Sequence, residues 1–219
     1  MMNSIAWNEI TTVLLDMDGT LLDLHYDTHF WREQVPQRYA LNRGLDIDTA
    51  KQLLSRIFEK HAATLNWYCL DFWSHELDID IVEMKRDTAH LIAIKEGALE
   101  FLGQLKKLGK RTILVTNAHP HSLALKLEHT QLDNHLDRLI SAHTLGLPKE
   151  SPLFWDKLQK IEPYAPHQTL LVDDNLHALR SARDFGIRHL LAACHPDSQQ
   201  PAHHTDEFPG FHHFEEITP

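Results

Sequence analysis

Two aspartates, Asp16 and Asp18, stand two residues apart where the apolar run Val13-Leu14-Leu15 ends, and Gly19 and Thr20 follow directly. In an extended strand, side chains at i and i+2 share a side, so both carboxylates are expected to lean toward one small volume at the strand's end. Like charges so close repel unless a cation lies between them or one is protonated. Mg2+ suits that place, because it takes carboxylate and carbonyl oxygens and keeps waters that a phosphate can displace. Gly19 lets the chain turn with its backbone close to a ligand. The chemistry in outline is metal-assisted phosphoryl transfer. Two aspartates alone fit equally a strand that ends in a solvated acidic turn, so the rest of the chain has to decide.

Three further polar clusters decide it. Thr112-Ile113-Leu114-Val115 runs into Thr116-Asn117, and Thr169-Leu170-Leu171-Val172 runs into Asp173-Asp174-Asn175; between them Pro148-Lys149-Glu150 precedes a helical stretch. Buried parallel strands read as continuous apolar runs, and ligands of open α/β sheets bind outside the strands' carboxyl ends. Strands are expected near 12–17, 111–116, 137–141, 169–173 and 188–192, with helices near 96–108, 121–131, 150–161 and 175–185. That alternation predicts an α/β fold, a doubly wound parallel sheet with right-handed crossovers. Residues 24–93 show no convincing strand. Leu65, Tyr68, Cys69, Phe72 and Trp73 recur there at helical spacing, which predicts an all-helical cap inserted after the first strand. The domains are then a Rossmann-like core, 1–23 and 94–219, and the cap, 24–93. The tail from about 194, rich in Pro and His, is expected to pack loosely or fray.

In order, these clusters match DxDGT, hhhT/S, K and hhhDD (h, apolar), and on them the chain resembles the haloacid dehalogenase-like (HAD) superfamily of phosphohydrolases. The second aspartate, Asp18, belongs to its phosphatase and mutase branches. Three segments resemble the bacterial GMP/IMP nucleotidases of this superfamily: Asp16 to Leu24, Thr64 to Asp71, and Thr116 to His121 followed by Lys126-Leu127-Glu128-His129-Thr130. The resemblance spans nearly the whole chain apart from the last twenty or so residues.

Roles follow from residue chemistry. Asp16 is expected to attack phosphorus and form an aspartyl-phosphate. Asp18 would protonate the departing 5'-oxygen and then deprotonate the hydrolytic water; the resemblance supplies that order of steps. Thr116, Asn117 and Lys149 would hold the phosphoryl oxygens, with Lys149 also neutralising Asp16. Asp16, Asp18, Asp173 and Asp174 are the metal candidates. By the resemblance Asp174 is placed against the ion and Asp173 on a metal-bound water or Lys149, with the reverse left open. In the cap, Tyr68, Phe72 and Trp73 share the apolar stripe and read as cap core, whereas Trp67 points off it and is the candidate to stack on a purine. Asp23, His25 and Asp27 either gate the cap or satisfy loop backbone.

Composition sets the outer limits. The net charge of −10 disfavours nucleic acid and anionic membranes as partners, so a phosphate ester must rely on local positive charge. No stretch reads as a signal peptide or membrane span, and a cytoplasmic enzyme is expected. Cys69 and Cys194 lack CxxC spacing and suggest neither disulfide nor zinc; the 18 histidines are scattered and read as surface residues. The expected activity is a Mg2+-dependent 5'-nucleotidase acting on GMP and IMP. A phosphatase for a sugar or carboxylate phosphate such as phosphoglycolate, a phosphomutase, and a non-catalytic binding module are the alternatives; oligomeric state stays open.

Overall fold

The computed structural model describes residues 5–62 and 64–219. Six strands form one sheet in the order β3-β2-β1-β4-β5-β6, every pairing parallel. They are β1 (Thr12–Leu15), β2 (Arg111–Thr116), β3 (Arg138–Ser141), β4 (Thr169–Asp173), β5 (His189–Ala193) and β6 (Gly210–Phe211). Strand order reverses at β1, between β2 and β4, and such a reversal opens a crevice at the carboxyl edge. Leu15 is level with both Leu114 and Val172, so Asp16 emerges beside Asp173, with Thr116 one residue further along β2.

Alternation along β1 feeds two cores. Val13 and Leu15 pack with Phe101, Leu102 and Leu105; Leu14 packs on the other face with Phe154, Trp155 and Leu158. Helices α6 (Ala98–Lys107) and α7 (Pro120–Thr130) cover the first face. Helices α9 (Phe154–Ile161) and α10 (Leu176–Phe185) cover the second, and the short α8 (Ala142–Leu145) follows β3.

Between β1 and α6 the chain builds a helical layer from α1 (His25–His29), α2 (Val35–Arg43), α3 (Ile47–Glu59), α4 (Leu70–Leu77) and α5 (Ile81–Asp87). It has its own apolar interior, with Phe30, Leu54, Trp73 and Ile81 at its centre. Leu22 and Ile94 form an antiparallel bridge, so the chain leaves the sheet and returns at one place. A π-helical turn, Phe30–Gln34, joins α1 to α2, and the Val35 N–H bonds to the Phe30 carbonyl. Pro36 explains the widening: it has no N–H for the Arg32 carbonyl and its ring would strike that carbonyl in a regular helix.

Two expectations need correction. The stripe from Leu65 to Trp73 is not one helix: Cys69 has extended backbone between a 3-10 turn (Leu65–Tyr68) and α4. Leu65 is thereby turned onto the sheet's second core, while Trp73 stays in the layer's own. The tail does not fray. Phe208, Phe211, Phe214 and Ile217 are all buried, and the segment adds β6 to the sheet. Its apolar residues recur every third position, a period of neither strand nor α-helix, which hides them from pattern reading.

Candidate active site

Strand β1 stops at Leu15, and beyond it the chain coils tightly. The Leu21 and Leu22 amides both bond to the Met17 carbonyl, and the Gly19 N–H bonds to the Leu22 carbonyl. Gly19 is at φ +87°, and a Cβ there would lie 2.6 Å from Asp174 Oδ2. Glycine is thus required twice, for its backbone and for the approach of Asp174. Because the strand has already ended, Asp16 and Asp18 line one cavity but have different partners.

Asp16 faces Lys149. The Lys149 ammonium donates to Asp16 Oδ1 and, at 2.7 Å, to Asp173 Oδ2; all three residues are buried. Asp173 Oδ1 accepts the Asn175 N–H at 3.0 Å, so both its oxygens are engaged within the protein. Carboxylate oxygens of Asp16, Asp173 and Asp174 lie within 4.8 Å of one another. Burial pushes Asp16 up to about 7, opposed by Lys149 and reinforced by Asp173. Burial raises Asp173 against the opposing Lys149, and burial with the Asp16 and Asp173 charges holds Asp174 well above the usual carboxylate range. Three carboxylates around one ammonium carry excess negative charge, and an all-oxygen donor set of this kind fits Mg2+. A divalent ion among them would reverse the cost of ionising Asp16.

Asp18 turns the other way. Its Oδ1 accepts from Lys126 Nζ at 2.6 Å; Lys126 also donates to Asp27 Oδ2 at 2.5 Å, and Lys85 donates to Asp27 Oδ1 at 2.6 Å. This row of alternating charges is self-neutral. Burial raises Asp18 to about 6, with Lys126 opposing and Asp27 and Asp16 adding. For Asp27, burial is outweighed by Lys126 and Lys85, and its carboxyl lies well below the usual range. Burial would lower Lys126, but its two carboxylates hold it above the ordinary lysine value. The side chain of Asp18 is therefore paired with Lys126 and stands outside the three-carboxylate cluster.

The other predicted residues divide. Thr116 is buried at the end of β2, where its hydroxyl accepts the Ala118 N–H at 3.0 Å and still faces the cavity. The Asn117 side chain is committed to the protein: Oδ1 accepts the Lys149 N–H at 2.9 Å and Nδ2 donates to Glu150 Oε2 at 3.0 Å. Glu150 Oε1 receives Asn175 Nδ2 at 2.7 Å and the Tyr68 hydroxyl at 2.6 Å. Tyr68 thus leaves the helical layer's core to fasten that layer to the sheet edge. Asp23 satisfies loop backbone, accepting the N–H groups of His25 and Ser198 at 3.0 Å each.

The cavity measures about 300 Å³, with Trp31, Phe58, Trp67 and Trp73 as its aromatic wall opposite Asp16. Trp67 is 40% exposed, and its carbonyl accepts the Trp73 indole N–H at 2.9 Å. Arg32, on the π-helical turn, also lines the cavity. Sequence reasoning passed over Arg32 and Lys85, gave Asp27 only a gating or loop role, and quoted Lys126 within a segment of the resemblance without giving it a role. A signal existed for Lys85, which shares the buried stripe of α5 with Ile81 and Met84, where a lysine is out of place unless paired.

The haloacid dehalogenase-like hydrolase family model matches residues 10–186. The chain is 45% identical over 195 residues to the GMP/IMP nucleotidase YrfG of Escherichia coli (strain K12), covering 89% of this chain and 88% of that protein. It is 23% identical to the glyceraldehyde 3-phosphate phosphatase of Pyrococcus furiosus, covering 82% and 79%. Among solved structures, a HAD phosphatase from Thermococcus onnurineus superposes with a TM-score of 0.78 at 19% identity, covering 95% and 96%. The magnesium-bound HAD-hydrolase YfnB of Bacillus subtilis superposes at 0.65 and 17% identity, also covering 95% and 96%.

Proposed function

Because the chain belongs to the haloacid dehalogenase-like hydrolases, we propose that it is a Mg2+-dependent 5'-nucleotidase that hydrolyses purine nucleoside monophosphates, GMP and IMP foremost. The observation that carries this reading is the 45% identity to a GMP/IMP nucleotidase across 89% of the chain. The intact site agrees with it.

In this reading residues 24–93 are the cap and the rest is the core. Asp16 attacks phosphorus and displaces the nucleoside 5'-oxygen, leaving an aspartyl-phosphate. Asp18, held by Lys126, gives its proton to that oxygen and then takes one from the water that cleaves the acyl phosphate. Lys149 and the Thr116 hydroxyl bind the phosphoryl oxygens, with the Asn117 main chain beside them. Mg2+, held by Asp16 and Asp174 with Asp173 behind, would neutralise the phosphoryl group and orient it toward Asp16. The engagement of both Asp173 oxygens supports giving the ion to Asp174. Asp18's carboxylate pairs with Lys126 and is not among the clustered oxygens of Asp16, Asp173 and Asp174, so this reading gives any contact of Asp18 with the ion to its main-chain carbonyl.

The aromatic wall suits a purine, and Arg32 suits its 6-oxo edge. An arginine fork pairs with O6 and N7, which guanine and hypoxanthine share, whereas adenine presents an amino donor at position 6. The test is phosphate release with Mg2+ from GMP, IMP, AMP, CMP, UMP, phosphoglycolate and sugar phosphates, with EDTA as control. Preference for GMP and IMP is expected. Preference for a sugar or carboxylate phosphate would keep the core chemistry and discard the purine site.

A further inference from the structure

Away from the carboxylates, the start of α4 meets the ends of β2 and β3 in a cluster of different chemistry. The Cys69 sulfur and one ring nitrogen each of His119 and His143 lie within 4.8 Å of one another. We propose that Cys69, His119 and His143 form a second metal site, suited to Zn2+, that fastens the helical layer to the sheet edge. Sulfur and imidazole donors select a borderline-soft ion, whereas Mg2+ takes the all-oxygen carboxylates. Zn–S and Zn–N bonds of about 2.3 and 2.0 Å place tetrahedral ligands roughly 3.3–3.7 Å apart, so the three donors need only a small contraction.

His143 is the most telling of the three. Its Nε2 is buried with no hydrogen-bond partner. The ring packs edge-on against His119, with centroids 4.9 Å apart. Burial, then His119, pushes His143 down to about 4, which keeps its lone pair available at neutral pH. His119 is buried, and its Nε2 lies 3.6 Å from Asp71 Oδ2, a carboxylate at the open side of the cluster. Cys69 has extended backbone, and its sulfur accepts the Phe72 N–H at 3.4 Å. The ligands come from three segments far apart in sequence, so no spacing motif announces them. The reading of the histidines as surface residues fails for His119.

His119 also lines the cavity. An ion here ties Cys69 of the helical layer to two residues of the sheet edge, beside the Tyr68–Glu150 bond, and so holds the cavity shut. On the phosphatase reading above, Zn2+ then inhibits turnover even with Mg2+ in excess.

The direct test needs no substrate. The full chain, stripped with chelator and kept reduced, is titrated with Co2+ in excess Mg2+. Expected are a thiolate-to-cobalt charge-transfer band in the near ultraviolet and intense tetrahedral bands in the visible, saturating at one equivalent and displaced by Zn2+. Cys69→Ser should abolish the charge-transfer band. His143→Gln should weaken binding by at least about tenfold, the size of loss that follows disruption of a metal site. Cys194→Ser should change nothing. Absence of the band in the wild-type chain, or its survival in Cys69→Ser, overturns the proposal; ions on the tail histidines give no thiolate band. Phosphate release then tests the fastening role: Zn2+ inhibition should be lost in Cys69→Ser, and equal inhibition of both proteins would put the ion at the carboxylates instead.

Discussion

Asp18 and Lys126, 108 residues apart in the chain, are joined at 2.6 Å between Oδ1 and Nζ. Burial raises the carboxyl and Lys126 restrains it, with the balance at about 6. A group that must give a proton and then take one works best with that balance near the operating pH. Lys126→Met removes the restraint, so the Asp18 pKa rises above about 6 and the limb of the pH profile for phosphate release that Asp18 sets moves upward. At pH 7 kcat should fall about 100-fold, within the range of general acid–base contributions. The stranded carboxylates should destabilise the fold by about 3 kcal/mol. Adding Asp27→Asn should recover part of that stability without recovering kcat. An unshifted pH profile would show that Lys126 serves stability alone.

Asp16→Asn should lower phosphate release by more than about a thousandfold, as loss of a covalent nucleophile does. Lys149 keeps Asp173 as its partner at 2.7 Å, so the fold should survive. Calorimetric binding of GMP with Mg2+ should persist within about tenfold. Sustained turnover by this variant would refute the aspartyl-phosphate route.

Trp67 and Arg32 should separate base stacking from base identity. Trp67→Ala should raise KM for GMP, IMP and AMP alike by about 5–150-fold, the range that follows from roughly 1–3 kcal/mol of stacking. Arg32→Ala should lower kcat/KM for GMP and IMP by a similar factor and leave AMP nearly unchanged, because adenine offers an amino donor in place of O6 and never gains the forked contact. Equal losses on all three substrates would assign Arg32 to the phosphate instead.

His143 predicts a stability slope. Burial and His119 hold it near 4 against an ordinary 6.5. Between those values the unfolded chain binds a proton at this ring that the folded chain does not, so stability rises with pH and is lost as pH falls from 6.5 toward 4. For the metal-free chain, Tm should drop between pH 7 and pH 5, and His143→Gln should drop less. Parallel slopes in the two proteins would assign the effect to other groups.

The residues most readable in advance were those at strand ends. Asp16, Thr116 and Asp173 each close a buried apolar run, and parallel pairing brings such ends together without knowledge of any side-chain contact. Lys126 and Asp27 belong to no such local pattern. They meet because α5, α7 and the start of the helical layer pack together, and only tertiary structure makes a row of charges from them. The helical stripe ending at Trp73 misled at Cys69 for a related reason: a periodicity of apolar residues does not reveal that Leu65 serves a different core from Trp73. Arg32 was hidden by the π-helical turn, which breaks the regular period on which face assignments depend.

Strand β6 is only two residues long, yet it covers the carboxyl end of β5: the Cys194 N–H bonds to the Phe211 carbonyl and the Ala192 N–H to the Pro209 carbonyl, both at 2.8 Å. A Cβ at Gly210 would collide with the Cys194 sulfur, so even the choice of residue there serves close pairing. An uncovered sheet edge is a template for a neighbouring chain. The last dozen residues therefore act as a selvedge, the finished border that keeps a woven cloth from catching on the next. Their loss would uncover that border and strip buried rings from both cores, and would register as clumping of chains during expression.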